Sequence, residues 1–193
     1  MAAPESIHGL ADLYEAVGRA AASGRGLPPV HLWNPAACGA ADILIRRDGT
    51  WIHEGTPIGR PALVRLFSTV LRKEPDGYWL VTPVEKLRIE VEDAPFVAVG
   101  LEATGEVLRF ATNVGDVVDA GPGHPIRVET RAGGEPRPYL HVRDGLEALI
   151  SRPVFYQLAE MAELRSDAGE ARMAVRSGGV WFDLGAAAEA GAA

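Results

Sequence analysis

Residues 58–66 read IGRPALVRL and residues 150–158 read ISRPVFYQL, and this shared pattern decides the fold. Each stretch follows an Arg-Asp-Gly triplet, at residues 47–49 and 143–145, and the two Arg-Pro pairs lie 92 residues apart. Asp-Gly favours a tight hairpin turn, and proline suits the first turn of a helix because an N–H there has no partner in the helix. The pattern predicts one unit, used twice: strand, Asp-Gly turn, Arg-Pro helix start, helix, glycine turn and strand.

The same spacing continues past the two predicted helices. Gly77 and Gly169 are also 92 residues apart, and each precedes a predicted strand, at residues 78–81 and 171–176. A period that occurs twice indicates two similar units rather than a long array of repeats. We therefore predict the fold class α+β, with duplicated half-domains that each contain a small curved antiparallel sheet and one packing helix.

Hydrophobic spacing predicts the elements around these units. Residues 7–22 form an amphipathic pattern typical of a helix that ends near Gly24, and residues 96–101 and 107–112 predict a hairpin with Gly105 in its turn. The predicted organisation is an N-terminal helix and linker at 1–29, a first half at 30–115, a second half at 116–185 and a flexible tail at 186–193.

Composition and charge argue against one class of partner. The chain of 193 residues is 47% hydrophobic and 23% charged, which is ordinary for a globular protein. It has 19 Lys and Arg against 26 Asp and Glu, so the net charge is −7. A protein that binds nucleic acid needs positive charge to neutralise phosphates. Nucleic acid is therefore not the expected partner, and weak binding through local arginines is only our third hypothesis.

The sequence also indicates a compartment. Cys38 is the single cysteine, so no intrachain disulfide can form, and this fits a reducing environment. Residues 1–6 lack the basic start and apolar run of a signal peptide, and no apolar stretch reaches the ~20 residues of a membrane span. We expect a cytoplasmic protein.

Known cofactor motifs are missing from the sequence. Residues 121–125 are rich in glycine, but they lack the Gly-Lys-Ser/Thr of a phosphate loop, and their prolines remove amides that a phosphate would need. The histidines are scattered and there is one cysteine, so a closed zinc site is not predicted. We expect no cofactor and no metal.

Cys38 and His53 are the candidates for catalysis. A nucleophilic thiol needs a base within reach, and His31 and His53 are possible bases. A lone thiol is more often a small buried apolar group, and a lone histidine is more often structural. A small hydrolase that uses Cys38 or His53 is our second function hypothesis.

Other polar residues favour binding. Trp51 and His53 alternate along one predicted strand, so both side chains share a face that could contact a ligand. Lys86 is one of only two lysines and could bind an anion or pair with a carboxylate. Arg60 precedes the helix-opening proline and could present positive charge, although its recurrence as Arg152 favours a structural role.

Several segments resemble one family. They are Asn34-Pro35, Asp42-Ile43, Asp48-Gly49-Thr50-Trp51, Thr82-Pro83-Val84-Glu85-Lys86, Glu92-Asp93-Ala94-Pro95-Phe96 and Thr112-Asn113-Val114-Gly115-Asp116. Over roughly residues 30–185 the chain resembles the bacterial domain of unknown function 1285 family. The resemblance implies a duplicated α+β fold, a second half similar to pleckstrin-homology-like folds, a binding site at the junction of the halves and a role in signal transduction. It implies no established activity or catalytic residue.

We therefore predict a non-enzymatic module that binds a small molecule or protein at the junction of the halves, where pockets concentrate. The candidate ligand-binding residues are the polar and aromatic members of these segments: Asn34, Asp42, Trp51, His53, Arg60, Glu85, Lys86, Asp93 and Asn113.

Overall fold

The chain divides between Pro95 and Phe96 into two units. The computed structural model describes residues 10–21, 26–130, 135–167 and 170–186. Glycines 24 and 169, the start of the N-terminal helix and the tail lie outside the described residues, so the predictions made for them stay predictions. No helix in the described ranges is both long enough and apolar enough to cross a membrane.

Within its described residues, the first unit contains two helices, one 3-10 turn and six strands. In chain order these are α1 (Leu10–Ala21), the 3-10 turn (Val30–Leu32), β1 (Ala37–Ile45), β2 (Trp51–His53), β3 (Thr56–Pro57), α2 (Pro61–Thr69), β4 (Leu71–Glu74), β5 (Gly77–Val81) and β6 (Glu85–Val91). The six strands form one sheet in the order β3-β2-β1-β6-β5-β4. The β1–β6 pair is parallel and every other pair is antiparallel, because the connection between β1 and β6 passes through α2.

Helix α2 covers one face of this sheet. Pro61 lies at its first turn, as the sequence predicts, and Leu63 and Phe67 are buried. The Phe67 ring lies 6.4 Å from the ring of Trp51 on β2. Helix α1 packs against α2 and buries Val17. The core of the first unit is therefore the layer between the sheet and α2.

The second unit contains one helix and nine strands in its described residues. They are β7 (Phe96–Thr104), β8 (Val107–Thr112), β9 (Val117–Asp119), β10 (Ile126–Thr130), β11 (Pro136–Arg143), β12 (Leu146–Ile150), α3 (Arg152–Glu160), β13 (Glu163–Asp167), β14 (Glu170–Ser177) and β15 (Val180–Ala186). Six strands form a sheet in the order β10-β11-β12-β7-β8-β9, in which β12 and β7 are parallel. Strands β13, β14 and β15 form a separate antiparallel sheet.

A short clamp joins the three-stranded sheet to β8 and β9. The hydroxyl of Ser177 is fully buried, accepts a hydrogen bond from the amide of Leu108 at 2.8 Å and donates one to the carbonyl of Ala120 at 2.7 Å. The next residue, Gly178, has φ +56° and lies so close to Ala120 and Gly121 that a Cβ would stand 3.0 Å from each. A side chain at position 178 would therefore require the neighbouring backbone to shift and would hold a φ that favours glycine.

The fold class is α+β with two similar units, as the sequence predicts. Both Asp-Gly turns close a hairpin, β1–β2 or β11–β12, and both prolines open a helix. One feature differs from the prediction: each large sheet contains one parallel pair. The division at Pro95 places β7 and β8 in the second unit, where they pair with β12 and β9.

Candidate functional site

Three of the nine predicted site residues lie where β1 and β6 begin. In the parallel register, Ala37 stands opposite Glu85 and Cys38 opposite Lys86. Asn34 is exposed in the segment just before β1. The structure therefore brings Asn34, Glu85 and Lys86 to one end of the first sheet.

Lys86 belongs to a half-buried charge cluster there. Its Nζ donates a hydrogen bond to Oε2 of Glu74 at 2.8 Å and stands 4.3 Å from the centroid of the Trp79 ring. Arg72 donates to the other oxygen of Glu74, and also to the carbonyls of Val30 and Trp33 at 3.1 and 2.7 Å. Both cations are bound to Glu74, so this cluster fastens the 3-10 turn onto β4 and covers that edge strand.

The pKa values of the two glutamates in this region are shifted in opposite directions. Hydrogen bonds from Lys86 and then from Arg72 hold the pKa of Glu74 below its ordinary value. Burial raises the pKa of Glu85, which lies on the opposite face of β6 from Lys86. Of the two roles that the sequence allows for Lys86, the geometry favours pairing with a carboxylate.

Trp51 and His53 share one face, as their alternation predicts, but that face carries the core. Trp51 is only 1% exposed because α2 covers it, so its ring does not reach the surface. His53 stands opposite Ile43, and its Nδ1 lies 4.0 Å from a carboxylate oxygen of Glu54. Asp42 is exposed, and its backbone carbonyl accepts a hydrogen bond from the amide of Glu54 at 3.1 Å.

Of the remaining three predicted residues, Asp93 and Asn113 have structural contacts and Arg60 is exposed. Arg60 is exposed and precedes α2 as its cap, with no side-chain hydrogen bond to the helix. Asp93 lies 3.6 Å from Nε of Arg47. The amide oxygen of Asn113 accepts a hydrogen bond from the backbone of Val97 at 2.9 Å, which fastens the turn after β8 to β7. Apart from Asn34, Glu85 and Lys86 at one end of the first sheet, the predicted residues are not grouped by the contacts described here.

Cys38 and His53 are not brought together. Cys38 is exposed on β1, and His53 pairs with Ile43, five positions further along that strand. At roughly 3.3 Å per residue the separation along β1 is about 15 Å, which is too far for a base to take a proton from the thiol. Among the described residues, no group of three or more His, Cys, Asp and Glu side chains could hold a metal ion.

A cavity of about 330 Å³ lies in the second unit beside the start of α3, and we call it the α3 cavity. Its lining residues are Glu135, Pro136, Arg137, Pro138, Leu149, Ile150, Ser151, Arg152, Phe155 and Tyr156. The cavity forms because the start of β11 extends beyond the end of its antiparallel partner β12. In the antiparallel register Leu149 faces Tyr139, so Ile150 at the end of β12 comes opposite Pro138, and the first residues of β11 extend beyond it.

Apolar side chains and polar groups both line the α3 cavity. Arg152 at the start of α3 donates a hydrogen bond to the carboxylate of Glu135 at 2.9 Å, and these side chains are 70% and 58% exposed. Arg137 is half-buried, and Ser151 caps α3 without a side-chain hydrogen bond. Tyr156 is an exposed aromatic residue on the first turns of the helix.

Sequence reasoning missed this cavity, although some of its residues carried a signal. In the sequence, Arg152 stands out only as the counterpart of Arg60. Pro136 and Pro138 within one strand, and an aromatic Tyr156 off the apolar stripe of its helix, were the other available signs. None of these residues shows that β11 and α3 lie side by side. Contacts between those two elements depend on the packing of parts of the chain that are distant in sequence.

Comparisons with known proteins cover both units. A model described as domain of unknown function (DUF1285), N-terminal domain, matches residues 28–94, and a model described as protein of unknown function (DUF1285), C-terminal domain, matches residues 95–184. The limit between these matches coincides with the division at Pro95 to within one residue. None of the curated proteins matches the chain.

Two solved structures are similar to this chain. The crystal structure of a DUF1285 family protein from Silicibacter pomeroyi DSS-3 is 48% identical, with 94% of this chain and 97% of that chain covered at a TM-score of 0.84. The crystal structure of a DUF1285 family protein from Shewanella baltica OS155 is 27% identical, with 62% of this chain and 91% of that chain covered at a TM-score of 0.51.

Proposed function

This chain belongs to the DUF1285 family, and on that premise we propose that it is a non-enzymatic module that binds a small molecule in the α3 cavity. The observation that carries the proposal is the cavity itself. Its volume of about 330 Å³ lies at the lower end of the ~300–1,000 Å³ of ligand pockets. Such pockets combine apolar walls with a few polar groups, which is the composition found here.

The composition of the lining favours binding over turnover. The described residues that line the α3 cavity include no cysteine and no histidine. Cys38 and His53, the residues on which a hydrolase was hypothesised, belong to the first unit and lie apart from each other on it. Arg137, Arg152 and Tyr156 are side chains that orient a ligand by charge and hydrogen bonds.

The same proposal places the module in signal transduction, the role that the family resemblance implies. A protein that binds its ligand without consuming it stays occupied for as long as the ligand is present. Occupancy then reports the concentration of the ligand, and the ligand stabilises the second unit by RT ln(1 + L/Kd), in which L is the concentration of free ligand.

Titration of the full-length chain followed by NMR tests the binding site. Three probes of similar size are used, phenylacetate, phenylacetamide and phenyl phosphate, and the amide signals of Arg137, Leu149 and Tyr156 are followed. We expect at least one probe to shift these signals in a saturable way. If none of the three probes shifts them at millimolar concentration, the proposed function is wrong.

Two leucine variants serve as a matched pair for this test. Leu149→Trp places a larger side chain at the cavity wall and is expected to abolish the shifts at Arg137 and Tyr156. Leu164→Trp enlarges an exposed leucine on β13 that does not line the cavity, and it should leave them intact. Equal responses of the two variants would place the bound probe elsewhere on the protein.

A further inference from the structure

We propose that His141 makes the Asp144-Gly145 turn of the second unit sensitive to pH. The imidazole of His141 is the acceptor for the amide of Gly145. A proton taken up by the ring removes that acceptor and releases the turn from β11. The contacts of the two ring nitrogens carry this assignment, and none of them involves the α3 cavity.

The two nitrogens of the His141 ring have partners that fix its tautomer. Nδ1 lies 3.1 Å from the carbonyl oxygen of Gly123, which can only accept, so Nδ1 carries the proton. Nε2 lies 3.1 Å from the amide nitrogen of Gly145, which can only donate, so Nε2 holds a lone pair. Both hydrogen bonds are therefore made by neutral His141 with its proton on Nδ1.

Protonation of the ring breaks one of these hydrogen bonds and keeps the other. Histidinium is a donor at both nitrogens. Nδ1 continues to donate to Gly123, whereas Nε2 then places an N–H against the N–H of Gly145. Histidine is the side chain whose charge changes between about pH 5 and pH 8, so the turn is held at the upper end of this range and released at the lower end.

The first unit holds the glycine of its matching turn with a backbone acceptor. The amide of Gly49 donates to the carbonyl of Arg46 at 2.9 Å, and a carbonyl does not titrate at these pH values. Four residues before Gly49 the chain has Ile45, where the second unit has His141 four residues before Gly145. The two Asp-Gly turns therefore differ in whether the acceptor can be protonated.

The carboxylates around His141 do not replace it as the titrating group. Across the sheet, Glu147 on β12 stands opposite His141, and its two oxygens accept hydrogen bonds from Arg127 on β10 at 2.5 and 2.7 Å. A guanidinium therefore compensates this carboxylate. Asp144 is exposed in the turn itself. The release of the turn follows the proton on the His141 ring, because that ring is the acceptor for the Gly145 amide.

His124 is a second titratable group beside His141. The two rings stack with their centroids 5.9 Å apart, and Nδ1 of His124 donates to the carbonyl of His141 at 3.2 Å. Nδ1 is a donor in either charge state, so protonation of His124 keeps this hydrogen bond. Asp119 on β9 has its pKa lowered by hydrogen bonds from Arg109 and, to a smaller extent, by His124. His141 is therefore the ring whose proton changes the turn.

NMR of the ring nitrogens in the full-length chain tests the tautomer. Long-range ¹H–¹⁵N correlations at pH 8 distinguish a protonated ring nitrogen from one that holds a lone pair. We expect Nδ1 of His141 to be protonated and Nε2 to be unprotonated. A protonated Nε2 at pH 8 would overturn the proposal.

Exchange of the Gly145 and Gly49 amides with water tests the release of the turn. The exchange rates are measured by NMR at pH 8 and pH 5, each relative to an unstructured peptide at the same pH. We expect the protection of Gly145 to fall about fivefold, the effect of losing one neutral hydrogen bond. The protection of Gly49 should change by less than about twofold. Equal changes in the two turns would contradict the role of His141.

Three glutamine variants identify the ring responsible. In His141→Gln the acceptor is a side-chain carbonyl, so the protection of Gly145 should no longer depend on pH between 8 and 5. His124→Gln, and His31→Gln at an exposed histidine of the 3-10 turn, should keep the fivefold loss. Loss of the response in His124→Gln would assign it to the wrong ring here. If His141→Gln does not fold, the comparison of Gly145 with Gly49 in the wild type still decides the outcome.

Discussion

The two units start from the same local pattern and build different sheets. In the first unit, the strands after α2 join the strands before it, because β6 pairs in parallel with β1. In the second unit, the strands after α3 form a sheet of their own, and the parallel neighbour of β12 is β7 instead. The shared pattern therefore determines turns and helix starts, whereas the strands available elsewhere in the unit determine the pairing.

The difference is concentrated at the clamp of Ser177 and Gly178. In the second unit β7, β8 and β9 occupy the positions beside the hairpin, and β13, β14 and β15 are fastened to them through this turn. In the first unit the corresponding meander is held by the ladder of β5 and β6 and by the charge cluster around Glu74. The second unit therefore adds close packing and two buried hydrogen bonds at this turn, whereas the first adds paired charges beside its strand ladder.

Replacing Gly178 is expected to produce the largest effect on stability. In Gly178→Ala the Cβ meets Ala120 and Gly121 at 3.0 Å, and the residue keeps a φ of +56°. We expect a loss of about 3 kcal/mol in the free energy of unfolding, measured by urea denaturation, because steric conflict is added to backbone strain.

Gly179→Ala provides the matched control for this prediction. Gly179 also has a positive φ of +82°, but nothing lies within 4 Å of its Cβ position. Backbone strain alone predicts a loss of about 1 kcal/mol. Equal losses in the two variants would show that close packing at the clamp does not hold the second unit together.

Removing the hydroxyl of Ser177 is expected to produce the next largest effect. Ser177→Ala leaves the buried amide of Leu108 and the carbonyl of Ala120 without this partner, which costs about 2 kcal/mol. Hydrogen exchange should show the loss in β8, β14 and β15 and leave the amides of the first unit unchanged. Ser166→Ala on exposed β13 should change the unfolding free energy by less than about 0.5 kcal/mol.

The charge cluster makes the first unit sensitive to acid. The pKa of Glu74 is lowered in the folded protein, so its contribution to stability is complete above the unfolded pKa of about 4.3 and is lost as pH falls through the folded value. Urea midpoints of the wild type and Glu74→Gln should therefore differ at pH 7 and converge as the pH falls through the lowered folded pKa. A constant difference over this range would contradict the assignment.

Glu85 is expected to show the smallest effect, with the opposite sign. Burial raises its pKa, so the folded state holds its proton more firmly than the unfolded state does. Its contribution is therefore present below the unfolded pKa of about 4.3 and is lost as pH rises through the raised value. Glu85→Gln should stabilise the protein slightly at pH 7, by urea denaturation, and have no effect at pH 3.

Some of the fold could be predicted because its signals are local. Asp48-Gly49 and Asp144-Gly145 close hairpins, and Pro61 and Pro153 open helices, since each depends on the backbone preferences of a few adjacent residues. The burial of Trp51 could not be predicted. Alternation shows that Trp51 and His53 share a face, but only the position of α2 shows that this face is covered.

The candidate site was less predictable than the fold. Lys86 stood out because lysine is rare in this chain, yet its partner Glu74 lies on β4, and only the sheet brings the two together. The α3 cavity depends on where two strands end relative to each other. The relative position of two strand ends is set by the register between the strands, and the sequence of one strand alone does not specify that register.

The amino-acid sequence by itself determined the kinds of element, the two hairpin turns, the two helix starts and the presence of two α+β units. The turns and helix starts follow from steric limits and hydrogen bonding within about ten residues of chain, and the two units follow from the recurrence of that pattern after 92 residues. Tertiary structure alone decided that β6 pairs with β1 while β12 pairs with β7, that Trp51 is buried, and that a cavity opens beside α3. Those outcomes depend on which apolar surfaces, distant in the sequence, are buried against each other. That choice is made only when the whole unit folds.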